Sequence, residues 1–206
     1  MPEKFPFYLS QSVSYLFHPL LMTSLGILIV FFSDFQYYYI PSEVKRMILI
    51  VVVAGTVGLP LAFIPFYWMF GSITNIELSD VRQRFIPMFV TSVIYYITYL
   101  NLKKIYVPEV IQAFVFGVFI AIFISTIITL RWKISAHTTG VGGLIGLLLG
   151  MMVRQNIYHL DFLMLVILLA GLIGFARIWL RSHTPMQVYA GYALGSCILF
   201  ITMLLY

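Results

Sequence analysis

Charged side chains are scarce in this chain: only 9% of its 206 residues are Asp, Glu, Lys or Arg. A soluble globular domain carries about 25%, so a solvated globular surface is excluded for the main body of the protein. Hydrophobic residues make up 62% of the sequence, and the mean hydropathy is +1.01. This composition predicts an integral membrane protein with a single transmembrane domain over residues 1–206.

Cysteine is the second scarcity. The chain has one, Cys197, which excludes an intramolecular disulfide and a cysteine-based metal site. The net charge of +5 comes from basic residues scattered over loops, which fits membrane topology and anionic headgroups better than nucleic-acid binding. The first apolar run is long enough to span and has no clear small-residue cleavage site, so we expect an uncleaved first helix.

Long apolar runs are what the chain has in abundance. A spanning helix needs about 20 residues, and seven stretches qualify: 15–33, 47–70, 85–101, 109–130, 138–153, 161–180 and 186–206. The sequence therefore predicts an all-α polytopic bundle of about seven helices, with a six-helix core as the narrower alternative. The fifth stretch is short and rich in glycine, which lets helix backbones approach closely, so we expect it at the centre.

Alternation of these seven stretches places three polar segments on one side of the membrane. They are residues 80–87, with Arg82 and Arg84, residues 135–137, with His137, and residues 177–183, with Arg177 and His183. Ionisable groups at membrane depth are costly and mark functional sites by default. Two histidines with several arginines predict a site for an anionic, phosphate-bearing ligand.

Loop lysines and arginines predict the orientation of the bundle. The raw count is seven on the side of the polar segments against five on the other, but four arginines that a phosphate site would recruit are not free to set topology. Without them the count is three against five. We therefore expect the polar segments on the outer face, in a bacterial plasma membrane.

The last polar segment resembles the third signature of the type 2 phosphatidic acid phosphatase superfamily: Ser-Arg, five residues, His, three residues, Asp. Here it reads Ala176-Arg177, then His183, then Gln187. Residues Ser135-Ala136-His137 resemble the second signature, Pro-Ser-Gly-His. Their positions, before the fifth and the seventh helix, are also similar to the family's layout, and the resemblance covers roughly residues 75–200.

The chain departs from the family at two places that bear on activity. Counted back from its proline, the first signature (Lys, six residues, Arg-Pro) would put cations at Ser79 and Ile86, whereas the cations present are Arg82 and Arg84. Gln187 stands where the family has an aspartate. The phosphate clamp would have to be rebuilt from the two arginines, and catalysis would lack a carboxylate.

The resemblance implies a metal-independent lipid phosphatase. His183 would attack phosphorus and give a phosphohistidine that water hydrolyses, and His137 would protonate the leaving oxygen. Gln187 lies four residues after His183, on the same face of a helix that begins there. Its amide oxygen can accept the Nδ1 hydrogen of His183 and fix the tautomer, but it cannot balance an imidazolium charge.

Cations would hold the phosphate, because a guanidinium group bonds two oxygens at once and stays charged. The resemblance gives this role to Arg177, together with Arg82 and Arg84. The hydroxyl of Ser135 either donates to the phosphate or caps the fifth helix. His18, which precedes a helix-starting proline, either lines the same site or packs at the interface.

Three functions stay open from the sequence. The first is hydrolysis of a membrane lipid phosphate, such as a polyprenyl pyrophosphate, phosphatidic acid or phosphatidylglycerophosphate, with no cofactor and no nucleic-acid partner. The second is binding or transport of such a lipid, which Gln187 favours. The third is a small transporter without phosphate chemistry, which would more typically carry charges near the bilayer midplane. Lys133, Arg131 and Arg181 are interpreted as membrane-surface anchors.

Overall fold

The computed structural model describes residues 4–33, 36–69 and 81–206. It gives the backbone alone for a few of these: Lys4, Phe5, Gln36, Val81 and Arg82. Within the described ranges the chain is helical and contains no strand. The all-α polytopic bundle expected from the sequence is confirmed.

The helices follow one another through short connections. α1 (Lys4–Leu16) and α2 (Pro19–Phe32) come first, and a 3₁₀ turn (Gln36–Tyr39) follows. The next span, Ser42–Met69, contains α3 (Ser42–Val53), a π-helical turn (Ala54–Gly58), α4 (Leu59–Ala62) and α5 (Ile64–Met69). The remaining helices are α6 (Val81–Lys104), α7 (Glu109–Thr129), α8 (Ala136–Gln155), α9 (Leu160–Trp179) and α10 (Pro185–Leu205).

Six helical stretches in the described ranges are long and apolar enough to cross a membrane: Ser42–Met69 and α6 to α10. α1 and α2 qualify only as a pair, bent by 64° at their junction. The span predicted over residues 15–33 is interrupted by this bend: α2 covers most of it, and α1 and α2 together form a broken span or a re-entrant loop. His18 is extended (φ −62°, ψ 140°), because a following proline disfavours the helical conformation. α2 alone is ~21 Å long at 1.5 Å per residue, short of the ~30 Å hydrocarbon core.

α8 is central, as its glycines predicted. Its apolar window is 67% buried, the largest share among the six spans, and it packs closely along α10. A Cβ on Gly142 would lie 2.6 Å from the carbonyl oxygen of Tyr192, and the carbonyl oxygen of Thr139 lies against Gly195 with no space for a Cβ. This contact, called the α8–α10 seam below, fixes the first turn of α8 against α10.

The connections between the spans alternate between two sides of the bundle. The α7–α8 loop, the α9–α10 loop and the start of α6 lie on one side, called the site side below. Only three acidic residues are described, and each lies in the first turn of a helix that starts on the other side: Glu43, Glu109 and Asp161. The described part of the site side therefore contains cations and histidines but no carboxylate side chain.

Candidate functional site

The C-terminal turn of α9 joins Arg177 to His183. Leu180 is the C-cap and Arg181 takes the left-handed conformation, with φ of 51°. The backbone N–H groups of Ser182 and His183 donate to the carbonyl oxygen of Arg177 at 3.1 and 3.3 Å. This is a Schellman-type ending, in which a left-handed residue turns the chain back onto the last helical carbonyls. It accounts for the six-residue spacing between the guanidinium and the imidazole.

The first turn of α10 orients the ring of His183. Oε1 of Gln187 lies 3.2 Å from Nδ1 of His183 and also accepts the N–H of Thr184 at 3.1 Å. The Thr184 hydroxyl accepts the N–H of Gln187 at 3.4 Å, which completes a capping box. Because an amide oxygen only accepts, Nδ1 carries the hydrogen and Nε2 keeps its lone pair. Gln187 thus makes the orienting contact expected from its spacing, and helix capping is a second reason for glutamine there.

His183 is uncharged at neutral pH. Its side chain is 6% exposed, and this burial is the main reason that the pKa of His183 falls from its ordinary 6.5 to about 3. The positive charges of Arg84, Arg177 and Lys133 lower it further. The bond to Gln187 acts in the opposite direction. The ring is therefore held as a neutral imidazole, the form that can act as a nucleophile.

The loop before α8 supplies Lys133 and Ser135. Lys133 acts electrostatically on His183, a contribution to the site that the sequence analysis did not assign to it. The sequence did contain a signal for this role: Lys133 lies two residues before Ser135, where the resemblance to the second signature begins. Ser135 is fully buried and caps α8 by accepting the N–H of Thr138 at 3.5 Å. Its own N–H donates to the carbonyl oxygen of Gln187 at 3.4 Å, and a bond from Ser135 to phosphate stays a prediction.

His137, in the first turn of α8, faces the junction of α1 and α2. Its ring lies edge-on to that of His18, with centroids 5.7 Å apart. Nδ1 of His18 accepts the N–H of Leu20 at 3.4 Å, so His18 caps α2 and also borders the site. Nε2 of His137 lies 3.1 Å from the carbonyl oxygen of Ser14. Because a carbonyl oxygen only accepts, Nε2 carries the hydrogen in His137.

Ser14 on α1 is a site neighbour that sequence reasoning missed. Besides its contact with His137, its hydroxyl accepts from Nη1 of Arg177 at 3.2 Å. The side chain is 8% exposed, and α1 packs against α9. The partners of Ser14 are 123 and 163 positions away. A serine among other small polar residues of an N-terminal helix carries no local signal for such distant contacts.

Arg84 supplies a second guanidinium, from the first turns of α6. Its charge acts on Arg177 and on His183. Its Nη1 atom is buried and has no hydrogen-bond partner among the described residues. Leaving a buried donor unpaired costs about 1–3 kcal/mol, and more on a charged group, so an oxygen acceptor from a ligand would lower the free energy here. Arg82 lies two positions earlier with its side chain undescribed, and Ser79 lies outside the described residues.

Among the described residues, the assembled site is a group of cations around a neutral imidazole. Arg84, Lys133 and Arg177 carry like charges that repel one another, and an anion between them would offset that repulsion. Such a group can bind a multiply charged oxyanion, because each cation offers several N–H donors. Among the described residues no group of three His, Cys, Asp or Glu side chains could hold a metal ion.

No protein-family model, curated protein or solved structure matches this chain. Its function therefore has to be inferred from the site itself.

Proposed function

We propose that this protein is an integral-membrane phosphatase that hydrolyses a lipid phosphate or pyrophosphate through a phosphohistidine on His183. The observation that carries the proposal is a neutral imidazole beside three cations, Arg84, Lys133 and Arg177, with no described carboxylate on that side. A phosphoryl group in transfer spreads negative charge over its equatorial oxygens, and positioned cations lower that barrier. The resemblance of the His137 and His183 segments to the phosphatidic acid phosphatase signatures supports the same chemistry.

The proposed reaction has two steps. The Nε2 lone pair of His183 attacks phosphorus, the bond from phosphorus to the leaving oxygen breaks, and His137, which enters the step as an imidazolium, gives that oxygen a proton and becomes neutral. Nδ1–H of His183 stays bonded to Gln187 and keeps the ring oriented while it carries positive charge. Water then attacks phosphorus and gives a proton to the neutral His137, the P–N bond breaks, and the electron pair returns to Nε2 of His183. The products are the lipid alcohol, or the lipid monophosphate from a pyrophosphate, and inorganic phosphate.

A membrane lipid is the substrate that fits the depth of the site. His137 and His183 lie at or just before the ends of spanning helices, where a headgroup would meet them while its alkyl chains stay in the bilayer. The balance of loop charges, once the arginines of the site are set aside, supports an outward-facing site. A site for a soluble phosphate ester would not need to lie at the ends of spanning helices.

A lipid-phosphate binding protein is the second candidate, and one observation favours it. Gln187 offers His183 an amide where a carboxylate would stabilise the imidazolium, and loss of that charge costs a factor on the order of 10⁴ in serine proteases. Such a protein would use the same cations to hold the phosphate. It would release none.

Phosphate release by the purified protein tests the proposal. We expect release from at least one of polyprenyl pyrophosphate, phosphatidic acid and phosphatidylglycerophosphate presented in mixed micelles, and we expect it to persist in EDTA. His159→Ala, on the opposite side of the bundle, should leave the rate unchanged. If wild type and Gln187→Glu release nothing, yet bind a lipid phosphate in a way that Arg177→Ala weakens, the protein is a binder.

Gln187 variants should separate orientation from charge. Glutamate keeps the capping box and adds a carboxylate beside His183, so Gln187→Glu should raise turnover by about tenfold if it recovers part of the lost charge. Gln187→Leu loses both the tautomer-fixing acceptor and the cap, and should lower turnover by a factor on the order of 10².

The pH dependence gives an independent readout of the same residue. The ratio kcat/KM reports the free enzyme and requires neutral His183, which is lost as the pH falls through its pKa of about 3. Wild type should therefore show no acid-limb titration of His183 between about pH 5 and 7. In Gln187→Glu that limb should move to higher pH, because a carboxylate favours the charged ring. Equal rates for wild type and Gln187→Leu would contradict an orienting role.

A further inference from the structure

α1 occupies two of the donors that the proposed site needs. The Nε2 hydrogen of His137 is bonded to the carbonyl oxygen of Ser14, and Nη1 of Arg177 is bonded to the hydroxyl of the same residue. These two oxygens lie on one residue and accept from an imidazole and a guanidinium. A phosphate group offers the same two partners, with more negative charge.

While they are bonded to Ser14, the Nε2 hydrogen of His137 and this Nη1 hydrogen of Arg177 are not free to bond a phosphate oxygen. A neutral imidazole has a single N–H, so His137 has no N–H to offer a ligand oxygen while it is bonded to Ser14. The carbonyl oxygen that holds it belongs to the backbone of α1. A shift of α1 would release His137 from this oxygen.

The connection between α1 and α2 permits such a shift. Only Phe17 and His18 separate the two helices, which meet at 64°. Pro19 has no N–H to continue a helical hydrogen-bond ladder across the joint. Away from α9, α1 presents large apolar side chains that are 45–67% exposed: Phe7, Tyr8, Leu9, Tyr15 and Leu16. In a membrane this face meets lipid, so α1 can move without exposing a dry core to water.

We propose that α1 is a cover over the phosphate site, and that Ser14 holds His137 and Arg177 until the phosphate group of a ligand takes over these two donors. The proposal rests on the proposed phosphate site and adds a closed state to it. It makes Ser14 a residue that competes with the ligand instead of binding it. Removing its hydroxyl should therefore strengthen binding.

Equilibrium binding of inorganic phosphate tests whether removal of the Ser14 hydroxyl strengthens binding. Ser14→Ala removes the bond that Arg177 must break, so we expect phosphate to bind about tenfold more tightly than to wild type, the effect of one hydrogen bond to a charged group. Ser14→Thr keeps the hydroxyl and should stay near wild type. Ser10→Ala, on the same buried face of α1, is the control and should also stay near wild type. In turnover, KM should fall for Ser14→Ala while kcat stays unchanged.

Accessibility of α1 gives a readout that a structural serine would not change. In a Cys197→Ser background, which removes the one native cysteine, Ser14→Cys should react with a maleimide several-fold faster when phosphate is present. Ser33→Cys, which replaces a buried serine beyond the far end of α2, should not respond. Nanodiscs with and without phosphatidic acid distinguish a lipid headgroup from free phosphate as the group that opens the cover.

The outcomes separate the two proposals. If phosphate binds in an Arg177-dependent way but Ser14→Ala binds it equally or more weakly, or neither phosphate source changes the labelling rate, the cover is wrong and the phosphate site stands. If neither wild type nor Ser14→Ala binds inorganic phosphate or phosphatidic acid, both proposals fall.

Discussion

Replacing His183 with alanine should abolish phosphate release from every lipid substrate, with a loss in kcat on the order of 10⁴ or more. The ring supplies the attacking lone pair, and the positive charges of Arg84, Arg177 and Lys133 act on it. His137→Ala should behave differently. It should stop release only where the leaving oxygen needs a proton, because its proposed role is that of an acid.

An activated substrate distinguishes the two histidines. Nitrophenolate leaves p-nitrophenyl phosphate without a proton, so His137→Ala should cleave this ester at a rate close to that of wild type, whereas His183→Ala should not. A labelled phosphoprotein that survives alkaline quenching should form in wild type and be absent from His183→Ala. If His137→Ala lost as much activity as His183→Ala on both the lipid and the nitrophenyl ester, His137 would not be the acid.

Arg84→Ala should lower kcat/KM by a factor of about 10²–10³, the usual effect of removing one donor that stabilises transition-state charge. The same change should leave the ligand-free protein as stable as wild type or more stable. It removes a buried Nη1 atom that has no hydrogen-bond partner in the described ranges, and a charge that repels Arg177. Function and stability are thus expected to move in opposite directions at this residue.

Melting temperatures with and without phosphate measure both effects. Wild type should be stabilised by phosphate, and Arg84→Ala should lose most of that stabilisation. Arg84→Lys should fall between them, since an ammonium keeps the charge but not the planar fork. Arg131→Ala, an exposed arginine on the same side, is the matched control. A large drop in the melting temperature of ligand-free Arg84→Ala, with phosphate protection intact, would make Arg84 a structural residue.

The parts of the site that could be predicted from sequence are those set by local spacing and by alternation of spans. Gln187 reaches His183 because residues four apart share a helix face. His137 and His183 lie on one side because an even number of crossings separates their loops. Ser14 could not be predicted, because its contacts depend on how α1 packs on α9. The bend at His18, inside the first predicted span, could not be predicted because hydropathy does not register the conformational restriction before Pro19.

The α8–α10 seam divides the site into a part of fixed dimensions and a part that can adapt. Glycine at positions 142 and 195 lets the two backbones touch without any side chain between them, so the helices are closely packed along this contact. The seam therefore sets the spacing between His137 and His183. Ser14 and Arg84 come from α1 and α6, outside the seam. If the site binds a pyrophosphate in place of a monophosphate, α1 and α6 are therefore the helices that would move to make room for it.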